Sequence, residues 1–288
     1  MTPVPASIAE RAKRNAEAAR ERERAELELK LFPDWPDDRR GTSNALIRAA
    51  VFGVGRRRRV ADLPLAAPGG WSVTMTGWRL DQADCDVWLE VMHLARNSKP
   101  GEPIRFSLHS LLRSLGLTGD GGRDRRWLTT RLKGLYETTL YFESASAITA
   151  PGTLIASFDI DKTTGEAVVR VNPQMRWLYE QITYLPIAQR RALRGNPLAQ
   201  SIHAVINSHT KWLPMRVETM MRRAGSEYAV VRYFRRDLRK VLADFERRGW
   251  IDAWRIDNDD LVHIALRPSP TQMRFLERER RSENQHEA

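Results

Sequence analysis

The chain has 288 residues, 42% of them hydrophobic and nine of them tryptophan, so it is long and apolar enough for two ordinary cores and is no disordered chain. Lys and Arg number 47 against 36 Asp and Glu, and the formal net charge of +11 points to a polyanionic partner, nucleic acid or an anionic membrane surface. The lone cysteine, Cys85, excludes an intramolecular disulfide and a cysteine-rich metal site, which fits a reducing cytoplasm. No apolar leader and no run of roughly 18 apolar residues is present, so the expectation is a soluble, unprocessed protein.

Residues 7–30 alternate Glu and Arg among alanines, which predicts a solvated helix with almost no docking stripe. "ELKLF" (28–32) then brings Leu29, Leu31 and Phe32, three large apolar side chains that need a pocket, either on the folded part of this chain or on a partner. Pro33, Pro36 and Gly41 mark a linker. "ALIRAAVFGVGRRRRV" is an apolar patch ending in Arg56, Arg57, Arg58 and Arg59, read either as an arm that enters a minor groove or grips phosphates, or as an ordinary solubilising run. "WSVTMTGWRL" alternates as a strand, and "DQADCDVWLEVMHLARN" has helical spacing behind an Asp81 cap.

From Phe106 onward the sequence repeats a plan. "SLHSLLRSLG" aligns with "RVETMMRRAG", pairing Leu111 with Met220, Leu112 with Met221 and Gly116 with Gly225, so both are short amphipathic helices stopped by glycine. "RDRRWLTTRLKGLYETTLYF" aligns with "AVVRYFRRDLRKVLADFERRGW", pairing Trp127 with Tyr233, Leu132 with Leu238 and Leu135 with Val241. Alternating runs follow each: "TLIASFDID" and "EAVVRVN" around the turn "KTTG", then "WIDAWRI" and "LVHIAL" around "DNDD". Short helix, turn, long basic helix, hairpin is the order of a winged helix-turn-helix. A supporting helix precedes each copy, at 84–97 and 196–210, and further short helices are expected at 175–184 and 187–194.

The long helices are amphipathic in a particular way. In 228–250, Val231, Phe234, Leu238, Val241, Leu242 and Phe245 gather on one third of the circumference, while Arg232, Arg236, Arg239 and Lys240 fall opposite. In 124–140 the stripe is Leu128, Leu132, Leu135 and Thr139, with Arg123, Arg126, Thr129, Thr130 and Lys133 facing away. Arginine suits guanine edges, threonine a base or phosphate, and lysine a phosphate. A solvated charged face is the competing reading, and the scarcity of acidic residues there favours DNA. Of the two wing tips, Lys162 suits the DNA backbone, whereas the acidic turn at 257–260 does not.

No P-loop occurs, and the six histidines are scattered without metal-ligand spacing, so no catalytic residue, metal or cofactor is expected. The charge sits on packed helices and not on a lipid-facing amphipath, which argues against a membrane partner.

"TGWRLDQADCDVWLEVMHLAR", "FSLHSLLRSLGL", "RWLTTRLKGL" and "NPLAQSIHAVINSH" resemble the TrfA-type plasmid replication initiators, within the iteron-binding Rep class, over about residues 44–268. The resemblance implies a bacterial cytoplasmic protein whose tandem winged-helix domains bind direct repeats at a plasmid origin, open an A·T-rich segment, and recruit the host replicative helicase and sliding clamp, with a homodimer as an inactive form. It also places Leu29, Leu31 and Phe32 at the positions of a clamp-binding peptide, with Glu28 where that peptide has glutamine.

The expected fold is α+β, mostly helical: two tandem winged helix-turn-helix domains, at 44–172 and 173–270, with a charged N-terminal extension and linker (1–43) and a charged C-terminal tail (271–288). The expected function is that of a non-enzymatic plasmid replication initiator; a winged-helix transcriptional repressor without replication partners is the alternative.

Overall fold

Two three-stranded antiparallel sheets of the same construction organise the computed structural model, which describes residues 35–66, 70–99, 101–119, 121–144 and 147–267. Its first part comprises β1 (Arg39–Ser43), α1 (Asn44–Arg48), β2 (Arg59–Leu65), β3 (Trp71–Trp78), α2 (Gln82–Ala95), β4 (Ile104–Ser107), α3 (Leu108–Ser114), α4 (Gly122–Glu137), β5 (Thr139–Ser144), β6 (Ala147–Thr153), β7 (Ile155–Ile160) and β8 (Glu166–Val171). A 3-10 helix (Pro173–Tyr179) and β9 (Ile182–Pro186) lead into α5 (Ile187–Ala192), α6 (Pro197–Asn207), β10 (Met215–Arg216), α7 (Val217–Arg223), α8 (Val231–Arg247), β11 (Ile251–Ile256) and β12 (Leu261–Leu266).

The first sheet runs β4-β8-β7 and the second β10-β12-β11, each with its helix pair, α3–α4 or α7–α8, inserted between the first strand and the wing. The duplication extends to single hydrogen bonds. Leu108 N donates to Gly165 O and Val217 N to Asp260 O, both at 2.9 Å, fastening the start of each short helix to its wing turn. At the other end Gly116 (φ 72°) and Gly225 (φ 59°) take the left-handed C′ position, and their amides close on Arg113 O and Arg222 O. The glycine stops predicted from the sequence therefore end two short helices, each followed by a long helix and an antiparallel hairpin, in the mixed helix-and-strand fold expected.

The first copy carries more than its sequence pattern predicts. The expected helix over 124–140 ends at Glu137, because Thr138 is extended (φ −99°, ψ 117°), its hydroxyl donating to Gly134 O at 2.8 Å and accepting from Trp78 N. Thr139, assigned to the helix stripe, instead opens β5, whose β-branched and aromatic residues "TLYF" favour a strand. β5 and β6 join β2 and β3 in a four-stranded sheet, β2-β3-β5-β6, between the long helix and the wing. Met175–Tyr184 is likewise not one helix: the 3-10 helix stops at Tyr179, and β9 pairs antiparallel with β1 in the stretch read as linker.

The apolar stripes close one continuous core that runs through both copies, with Trp88, Met92, Leu112, Leu132, Ile202, Leu238 and Phe245 all buried. Between the copies lie buried arginines. Arg190 Nε donates to Asp86 Oδ1 at 2.7 Å and its other nitrogens to Gln200 O and Gln82 O. Arg79 donates to Ala50 O, Val51 O and, across the junction, Gly225 O. A Cβ on Gly225 would stand 2.8 Å from Gly53 Cα, so this crossing admits only backbone. Arg40 pairs with buried Glu90 at 3.0 Å. Breaking a buried pair of this kind costs about 3–5 kcal/mol, so Arg79 and Arg190 hold the copies in one relative position, while Arg40 ties β1 to α2.

Candidate nucleic-acid interface

Leu128, Leu132, Gly134 and Leu135 bury one side of α4, which leaves Arg123, Arg126, Thr130 and Lys133 exposed and Thr129 half-buried. Arg125, which the sequence projection left out, is exposed beside Arg126. Arg123, Arg125 and Arg126 form no ion pair among the described residues, while Lys133 reaches Glu137 at 3.4 Å. Thr129 and Thr130 donate back to Arg125 O and Arg126 O at 2.9 and 2.8 Å, so their hydroxyls offer acceptor lone pairs and methyl groups outward.

The inner side of α4 is fixed by carboxylates borne on α2. Arg131 donates to both oxygens of Asp81 at 3.0 and 2.9 Å and lies 3.2 Å from Asp84. Asp81 at the same time caps α2 through Ala83 N and Asp84 N, in the capping box that the sequence signalled in part. Asp84 is fully buried, and that burial, followed by repulsion from Asp81, raises its carboxyl to about 6 against the pull of Arg131 and Arg57.

This cluster draws one residue of the four-arginine run inward, and the other three stay exposed. Arg57 turns inward to Asp84 at 3.4 Å, donates to Thr130 O at 3.1 Å, and lies over the Trp78 ring at 4.2 Å. Arg59 covers Trp78 at 4.3 Å and pairs with Glu137 at 2.7 Å. Arg58 pairs with Glu227 of the second copy, and Arg56 is exposed. A buried, otherwise underneutralised Asp84 is the physical reason Arg57 is drawn in, and β2 begins two residues later.

On α8, Phe234, Leu238, Val241, Leu242 and Phe245 are buried and Arg232, Arg236, Arg239 and Lys240 exposed, as the projection requires. Here the balancing carboxylates ride on the helix itself. Asp237 accepts from Arg236 at 3.0 Å, Tyr228 Oη at 2.8 Å and Lys240 Nζ at 3.1 Å; the Arg236 hydrogen bonds do most to hold its carboxyl well below the usual range. Asp244 serves Arg247 and Arg248, and Arg239 has no ion-pair partner among the described residues.

The wings differ as expected in sign. Asp161 accepts from Thr163 N at 2.7 Å and Thr164 N at 3.1 Å, a fixed turn that leaves Lys162 exposed at its tip. In the second wing Asp260 pairs with Arg235, and Asp257 is held low first by His263 at 2.7 Å. Arg235 of α8 thus neutralises Asp260, while Asp259 forms no ion pair among the described residues.

The sequence reading missed the junction arginines, whose partners lie as far as 146 residues away and leave no local signal. It also missed a cleft of about 460 Å³ between the copies, lined by Gln82, Leu115, Leu117, Arg123, Trp127 and Arg194 among others. Leu29, Leu31 and Phe32 lie outside the described residues. Among the described residues no three His, Cys, Asp or Glu are grouped to hold a metal ion, and no helix is long and apolar enough to cross a membrane.

Comparison with known proteins follows the same outline. The plasmid replication initiator protein TrfA of Escherichia coli is 27% identical over 256 residues, a match that takes in 83% of this chain and 65% of that protein's length. Among solved structures, the Pi initiator protein in complex with iteron DNA superposes with a TM-score of 0.53 at 11% identity, over 82% of this chain and 100% of that one. Domains 2 and 3 of RctB superpose with a TM-score of 0.50 at 10% identity, over 70% and 84%. At these identities the structural likeness speaks for the fold alone. The family model described as TrfA protein matches residues 7–266, through both sheets and both cationic helices, and the chain belongs to the TrfA family.

Proposed function

We propose that this protein is a non-enzymatic initiator of plasmid replication that binds origin direct repeats, iterons, as sequence-specific double-stranded DNA. The observation that carries the reading is the pair of exposed cationic helix faces, on α4 and α8, each backed by a packed stripe within the same helix-turn-helix frame. On it, Arg123, Arg125, Arg126, Arg232, Arg236 and Arg239 supply base-edge or phosphate contacts, Lys133 and Lys240 phosphate contacts, and Thr129 and Thr130 a base or phosphate contact. Lys162 and Arg56 add backbone contacts at the margins, whereas Arg57, Arg58 and Arg59 act by holding α4 and the junction. Residues 44–172 and 173–270 are proposed as the two DNA-reading units, between the extension 1–43 and the tail 271–288.

Family membership and the Pi complex with iteron DNA support direct repeats over other duplexes. Opening of an A·T-rich segment, recruitment of the replicative helicase, and a bacterial cytoplasmic setting belong to the same proposal. So do a homodimeric inactive form and a sliding-clamp contact through Leu29, Leu31 and Phe32.

The deciding experiment is quantitative binding of the full chain to a duplex carrying direct repeats. Affinity is expected to fall steeply and linearly in log salt, in proportion to the phosphates neutralised. A preference for a palindrome with two-fold spacing would favour a dimeric repressor instead. Replacing Leu31 and Phe32 by alanine should abolish clamp capture and leave DNA binding intact; unchanged capture removes the clamp contact.

A further inference from the structure

Val230 and Tyr233 are large apolar side chains that folding leaves substantially in water, 41% and 42% exposed. Their neighbours behave otherwise: Tyr228 and Val231 lean on the core, and Phe234 is fully buried. Val230 occupies the N-cap of α8 in an extended conformation (φ −132°, ψ 124°) and gives the helix no side-chain cap. Burial and capping thus both fail to account for these two residues.

Their surroundings point outward. Steps of three and four place Tyr233, Arg236 and Lys240 along one ridge of α8, within the cationic face, and Val230 adjoins its start at the N-cap. The Tyr233 ring is flanked there by two arginines. Arg232 lies 4.8 Å from its centroid and donates to its hydroxyl at 2.8 Å, and Arg236 stands over the ring at 5.7 Å. The result is an apolar surface set among cations in the first turn of a helix-turn-helix second helix, the turn whose side chains meet base edges.

A polyanion with apolar spots on its groove floor complements that surface. In the major groove the apolar spot is the thymine 5-methyl group. The matching position on α4 does not offer it, since Trp127 is half-buried against the core with Arg131 over its ring at 5.5 Å.

We propose that Val230 and Tyr233 contact thymine 5-methyl groups in the major groove and make α8 the helix that discriminates thymine. The inference rests on the double-stranded DNA reading above and adds to it which bases the second copy selects.

The test begins with a duplex recovered by the full-length protein from a randomised library. It is resynthesised with each thymine in turn replaced by deoxyuridine, which deletes the methyl and nothing else. Wild-type protein is expected to bind about fourfold more weakly per contacted methyl at one thymine or more. The doubly substituted Val230→Ala, Tyr233→Ala protein, altered only at exposed positions, should melt like wild type and lose that penalty. Tyr233→Phe, which keeps the ring, should retain it. An equal penalty in the double variant, or no sensitive thymine in wild type, overturns the proposal while leaving DNA binding standing. Enrichment of no duplex at all removes the DNA reading and this inference together.

Discussion

The two long helices reach the same outward charge by opposite routes. α4 is neutralised from behind, by Asp81 and Asp84 of α2 acting on Arg131 and Arg57, and its outer arginines Arg123, Arg125 and Arg126 are left without ion-pair partners among the described residues. α8 carries its own counter-charges, with Asp237 drawing in Arg236 and Lys240. Orientation of the first helix thus depends on neighbouring elements, whereas the second is electrostatically more self-sufficient and exposes apolar surface at its first turn. Two faces that look alike in a helical projection should therefore respond differently to substitution.

The largest effect is expected at the junction that both faces share. Arg190→Ala leaves Asp86 and two backbone carbonyls without their cation and should lower unfolding free energy by about 3–5 kcal/mol, read from urea denaturation. A loss near zero would mean that the copies are held by their apolar contact alone.

The next effect separates the faces. Arg126→Ala should weaken specific DNA binding by about 1–3 kcal/mol if its unpaired guanidinium reads a base. Arg236→Ala should cost less, because Asp237 already shares that charge. Equal losses in parallel titrations would erase the distinction.

Acid should act on the second copy through His203 of α6. Burial, and then Arg190, lower its pKa from the ordinary 6.5 to about 3. The unfolded chain accordingly takes up this proton first, so the contribution of neutral His203 is intact above pH 6.5 and is lost as pH falls from there toward 3. The slope is at most about 1.4 kcal/mol per pH unit. His203→Gln should flatten that part of the stability profile, and an unchanged profile would assign acid lability elsewhere.

The smallest effect is a gain. Asp237→Asn frees Arg236 and Lys240 and should tighten DNA binding by a factor of about two to five at low salt, an advantage that added salt removes. Weaker binding by Asp237→Asn would instead make the carboxylate a device for aiming its cations.

These contrasts also mark how far the sequence could be read. The helix-turn-helix pairs were legible because their determinants are local: the Leu111/Met220 and Leu112/Met221 alignments and two glycines that need a left-handed backbone. The outward cations of α4 and α8 followed from helical period alone. Arg57 was not legible, since its place depends on the burial of Asp84, 27 residues on, and nothing in "RRRR" separates a buried arginine from exposed ones. Nor was the β5–β6 hairpin, because "TTLYF" continues the apolar spacing of α4 until Thr138 turns its hydroxyl back on Gly134. Arg79 and Arg190 look in sequence like further positive charge for DNA, yet both are buried ties between the copies.

The most direct measurement is a base-resolution footprint of the full-length protein on a duplex carrying direct repeats, alongside Arg126→Ala and Arg236→Ala. Wild type should protect two separate major-groove segments in each repeat, and each variant should lose a different one. Loss of the same segment by both variants, or full protection by both, would contradict the claim that α4 and α8 are separate readers held in one frame.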